Sequence, residues 1–68
     1  MGTILVEQDG RERAVEFNGR RIRVDKLLLQ MGIYPETAVV VRNGELLCDD
    51  ELLTDGDKVE VVVATSRG

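Results

Sequence analysis

The order of patterned segments predicts an α+β fold, a mixed sheet of about five strands with one main helix packed across one face. Three observations carry the expectation. The dipeptides Asp9-Gly10 and Asn43-Gly44 are two-residue hairpin signals, each set between runs of aliphatic and β-branched residues. Only Val24 to Gly32 shows apolar residues at helical spacing. The last run, Lys58 to Ala64, is apolar at nearly every position, as in a strand at the centre of a sheet.

Thr3 to Gln8 reads as the first strand and Arg11 to Phe17, with Ala14, Val15 and Phe17 among charges, as the second. Asn18-Gly19 is another turn, after which a basic stretch leads into the helix. Arg23 or Asp25 serves as its N-terminal cap, and Gly32 suits the C′ position because glycine accepts positive φ. Val24, Leu27, Leu28 and Met31 share one helix face. Leu29 lies about 100° from Leu28 and is expected to widen the buried stripe.

Tyr34 to Thr37 is a connector. Val39 to Val41 and a strand through Leu46 and Leu47 flank Asn43-Gly44, Asp49 to Leu53 suits a turn of helix, and Asp55-Gly56 reverses the chain before the final strand. The expected organisation is one domain over residues 1–64 and a polar tail over residues 65–68, Thr65-Ser66-Arg67-Gly68. With 68 residues there is room for a single core, and with Phe17 and Tyr34 as its only aromatics that core must be aliphatic.

Composition removes several function classes. The sequence contains no histidine, which takes away the commonest general base, the commonest metal ligand and every Ser-His or Cys-His nucleophile. The single cysteine, Cys48, can neither form an internal disulfide nor hold zinc or an iron-sulfur cluster alone, and no neighbouring cation lowers its pKa. The carboxylates between Asp49 and Asp57 fail the spacing of a calcium loop. No phosphate-cradling glycine motif occurs. The expectation is therefore a protein with no catalytic residues, no bound cofactor and no metal.

The formal charge is −4, with six basic and three acidic residues over 11–26 against three basic and eight acidic over 27–68. Arg20, Arg21 and Arg23 cluster, but an acidic domain without stacking aromatics is a poor nucleic-acid binder, so no direct nucleic-acid contact is expected. The apolar run Ile4 to Val6 is too short for a signal or membrane segment, and a reducing, cytoplasmic setting and a monomer are expected.

Taken in order, VVVRNGELL at 39–47, DGDKVEVVV at 55–63, the helix followed by Gly32-Ile33 and a short tail ending in glycine resemble the ThiS/MoaD family of sulfur carriers. The resemblance runs over essentially the whole chain and implies a ubiquitin-like β-grasp, with the first and last strands parallel and adjacent at the centre. It implies that an adenylating enzyme of the ubiquitin-activating type uses ATP to activate the carboxylate of Gly68. A sulfur donor then converts the adenylate to a thiocarboxylate, and a downstream acceptor enzyme takes the sulfur for thiamine or molybdopterin synthesis or for tRNA thiolation. The family closes on Gly-Gly, whereas Arg67 stands here at the penultimate position. Ser66-Arg67-Gly68 matches an Arg-Gly-Gly ending short of its last residue; a precursor that is trimmed and a carrier that accepts Arg67 are the alternatives.

Alternation places Ile4, Val6, Val39, Val41, Val59, Val61 and Val63 toward the helix, and Leu5, Val40 and Val62 on the opposite face as a partner-docking patch beside the tail. A ubiquitin-like modifier, or an interaction module whose terminus is never thiolated, is the competing reading.

Overall fold

A computed structural model describes residues 1–64. Strands β1 (Gly2–Gln8) and β2 (Arg11–Phe17) form the opening hairpin, and β3 (Arg21–Arg23) leads directly into α1 (Val24–Gln30). A 3-10 turn, Pro35–Thr37, precedes β4 (Ala38–Arg42), β5 (Glu45–Leu47), β6 (Leu52–Thr54) and β7 (Lys58–Val63). The main sheet has the order β2-β1-β7-β4-β5, while β3 and β6 pair separately. β1 and β7 are parallel at the centre and every other pairing is antiparallel.

Both hairpin dipeptides adopt the expected geometry. Asp9 and Gly10 have φ of 54° and 76°, and Asn43 and Gly44 have 55° and 80°. Positive φ at both central residues is what the right-handed twist of the flanking strands requires of a two-residue loop.

α1 ends as the glycine predicts. Gly32 has φ 82°, its N–H donates to the Leu29 carbonyl at 3.0 Å, and the Ile33 N–H reaches back to Leu28 at 2.8 Å, a Schellman closure. At the other end Arg23 is the extended cap residue, without a side-chain cap bond. The Val24 and Asp25 N–H groups donate instead to the Glu51 and Asp49 carbonyls at 2.9 and 3.0 Å. A segment remote in sequence thus satisfies donors that a helix start leaves open.

The core joins Ile4 and Val6 of β1, Phe17 of β2, Val40 of β4, Val59 and Val61 of β7, Val24, Leu27 and Leu28 of α1, and Ile22 and Leu53 of the β3–β6 pair. Three sequence expectations change. Leu29 is 50% exposed, because the two-turn helix buries only the stripe through Val24, Leu27 and Leu28. Residues 49–53 form no helical turn: a β-turn closes from the Glu51 N–H to the Cys48 carbonyl at 3.0 Å, and Leu52–Thr54 then pairs with β3, setting Leu53 opposite Ile22.

The third change concerns β4. Val40 is 1% exposed and Val39 46% exposed, the reverse of the expected parity. The register pairs Val40 with Val61 and Val39 with Val62. Residues directly opposite in a ladder share a face, so once Val61 points to the helix Val40 must follow. Val41, opposite Glu60, accordingly turns to the open face, and Val63 is only partly buried at the edge of the core.

Candidate functional site

The end of β7 is tied to the 3-10 turn. Pro35 opens that turn, Thr37 closes it by donating its N–H and hydroxyl to the Tyr34 carbonyl at 2.9 and 2.7 Å, and the Thr37 carbonyl accepts the Ala64 N–H at 2.7 Å. From Ala64 the sequence continues as Thr65-Ser66-Arg67-Gly68. The predicted activation residue Gly68 and its neighbours Ser66 and Arg67 lie outside the described residues.

Beside Ala64, on the sheet face away from α1, Val39 and Val62 stand opposite one another, each 46% exposed. With Glu36, Thr37, Ala38 and Ala64 they line an apolar cleft of about 150 Å³. Val41 and Leu46, opposite one another on β4 and β5, continue the same face, and Leu46 is exposed.

The predicted patch is thus only partly assembled. Val62 is exposed as expected. Val40 is not in the patch at all, since it is core, and Val39 takes its place. Leu5 is exposed but pairs in register with Lys58, four residues before Val62, which sets it roughly 13 Å along the sheet with Glu60 between. Leu46 and Val39 were missed by the sequence reading. The run Val39-Val40-Val41 has no alternation, so nothing local indicates which valines face outward.

The rest of the open face, on the β7, β1 and β2 side of this strip, is mostly acidic. Alternation puts Glu7, Glu60, Glu12 and Glu16 on the open face, and Lys58, its one cation among the described strand residues, pairs with Glu12 at 3.1 Å. Elsewhere Arg42 donates to Asp57 at 3.2 Å, and the Asp57 carboxylate also takes the Thr54 N–H at 2.9 Å, which stitches β4 to the turn before β7. Arg23 pairs with Asp25 at 3.1 Å, whereas Arg20 and Arg21 are exposed and in none of the ion pairs among the described residues.

Cys48 is exposed at the end of β5. No cluster of three potential metal ligands exists among the described residues, and no helix there is long and apolar enough to cross a membrane.

A mixed sheet with parallel first and last strands at its centre, antiparallel hairpins outside and one helix across it defines the ubiquitin-like β-grasp fold. The chain is similar to a computationally designed protein based on the template of human erythrocytic ubiquitin, known from its NMR solution structure. The TM-score is 0.70 at 20% identity, over 100% of this chain and 98% of that one. No protein-family model and no curated protein sequence matches the chain.

Proposed function

We propose that the protein is a sulfur carrier of the ThiS/MoaD kind, not itself an enzyme, that works in the cytoplasm as the protein substrate of an adenylating enzyme of the ubiquitin-activating type. One observation above all supports the reading. The Ala64–Thr37 hydrogen bond fixes the point from which the glycine-ended sequence continues, directly beside the Val39–Val62 cleft. The domain contributes a surface to grip, and the reactive group is the terminal carboxylate.

The chemistry requires activation because a carboxylate has no good leaving group. The Gly68 carboxylate attacks the α-phosphorus of ATP held by the enzyme and expels pyrophosphate. The outer sulfur of a donor persulfide then attacks the acyl carbon and displaces AMP to give an acyl disulfide. A second thiol, attacking the donor's sulfur, breaks the S–S bond to leave a donor disulfide and the Gly68 thiocarboxylate, on which the acceptor enzyme draws. Glycine, with no Cβ, suits the narrow channel such a step needs, while binding energy comes from the domain outside it. Val39, Val62 and Leu46 are the docking residues in this reading, with Leu5 at the margin.

The mass of the protein isolated from its own cell tests this. A gain of about 16 Da on the C-terminal peptide marks oxygen replaced by sulfur. An isopeptide adduct on other proteins, or an unchanged carboxylate under conditions of sulfur demand, overturns it.

A further inference from the structure

The β1–β2 hairpin leaves β2 as an edge of the main sheet, seven residues long, against three residues at the other edge, β5. Which backbone groups that edge presents follows from the turn. A two-residue loop makes Gln8 and Arg11 a hydrogen-bonded pair, so the ladder bonds join Gln8 to Arg11, Val6 to Arg13, Ile4 to Val15 and Gly2 to Phe17. The N–H and C=O groups of Glu12, Ala14 and Glu16 therefore point away from β1. The β1 side agrees, since the Leu5 N–H, opposite Ala14, turns to the far side and donates to Asp57 at 2.9 Å. Of the outward groups, the Glu16 carbonyl is already taken by the Gln30 side chain.

Charge decides what can pair there. Arg11 and Arg13 lie on one face of β2 and Glu12 and Glu16 on the other, and Arg11 to Ala14 are all exposed. Antiparallel pairing with a second copy, centred on Glu12, Arg13 or Ala14, sets Glu12 against Glu12, Arg13 against Arg13, or Glu12 against Glu16. Like charges directly opposite are destabilising. Centring on Val15 instead calls on the occupied Glu16 carbonyl. A second copy is a poor occupant. No ion pair among the described residues engages Arg11 or Arg13, and both line an open concavity of about 600 Å³ with Gln8, Asp9 and Glu12.

We propose that β2 is a strand-addition site for an extended segment of another protein, one with carboxylates opposite Arg11 and Arg13 and a cation between them opposite Glu12. Main-chain bonds to Glu12 and Ala14 supply the attachment, and the two charged faces fix the register. This site is independent of the Val39–Val62 face and of the sulfur-carrier reading.

The test is amide hydrogen exchange by NMR with the peptide acetyl-Lys-Val-Ala-Glu-Lys-Glu-amide at millimolar concentration, compared with the charge-swapped acetyl-Glu-Val-Ala-Lys-Glu-Lys-amide. The first peptide is expected to slow exchange at Glu12 and Ala14 by about tenfold, and the second to leave it unchanged. The double substitution Arg11→Glu, Arg13→Glu should remove the protection while the inward amides of Arg13→Glu and Val15 stay slow, which shows the hairpin intact. Equal protection by both peptides overturns the proposal. So does protection by neither, which would leave the edge charges only the role of keeping copies apart.

Discussion

Val39 lies directly opposite Val62 across the β4–β7 ladder, and the pair faces solvent at the point where β7 ends. Two exposed valines do not alone make an interface. Their position next to Ala64, with Leu46 on the same face, Glu36 in the cleft lining and Glu60 opposite Val41, makes this strip the part of the sheet suited to a partner with an apolar centre and cations at its edge.

Val39→Arg and Val62→Arg should each weaken binding to the proposed activating enzyme by roughly 1 to 3 kcal/mol with the melting temperature nearly unchanged. Val40→Ala, one residue away, should instead cost about 2 kcal/mol of stability by leaving a cavity under α1. Calorimetric titration with the enzyme and thermal melts separate the two effects. Normal binding by both arginine variants would remove the strip from the mechanism.

Removal of Gly68 should abolish ATP–pyrophosphate exchange by the cognate enzyme while the circular dichroism spectrum and melt stay as they are. Adding one glycine after Gly68 should raise exchange if Arg67-Gly68 is an incomplete Arg-Gly-Gly ending. Equal exchange with and without the added residue would show that Arg67 is accepted in the penultimate position.

Gly44→Val should destabilise the domain by about 1 to 3 kcal/mol. A Cβ at Gly44 meets no atom within 4 Å, so the cost is assigned to backbone strain at φ 80° and not to a clash of the Cβ. A β-branched residue tolerates that region poorly. A melting temperature unchanged by the substitution would contradict the turn geometry.

Gly2 behaves differently, since its φ is ordinary but a Cβ there would overlap the Phe17 ring. Gly2→Ala should cost about 1 to 3 kcal/mol by forcing the ring aside. The double variant Gly2→Ala, Phe17→Leu should lose less than the sum of the single costs, because the smaller side chain relieves the overlap. Strict additivity in denaturant titrations would show that the two residues do not press on each other.

Features set by a few neighbouring residues were legible in the sequence. Asp9-Gly10 and Asn43-Gly44 specify their turns because positive φ is a local steric matter, and Gly32 ends α1 for the same reason. The faces of β1 and β7 follow from alternation at Ile4 and Val6 and at Val59 and Val61, so the exposure of Leu5 and Val62 could be read in advance. The absence of histidine and of a second cysteine likewise belongs to the sequence alone.

Tertiary structure decided what depends on remote partners. Strands β3 and β6 are three residues each, too short to display a period, and exist because Ile22 and Leu53, thirty-one positions apart in the sequence, bury each other beside the helix start. The parity of Val39-Val40-Val41 is set by its register against β7, since three identical side chains carry no preference between faces. Leu29 is exposed because only the stripe through Val24, Leu27 and Leu28 meets the core in the packed domain. A residue type states what a side chain would gain from burial; which residues obtain it is settled by the partners that pairing brings alongside.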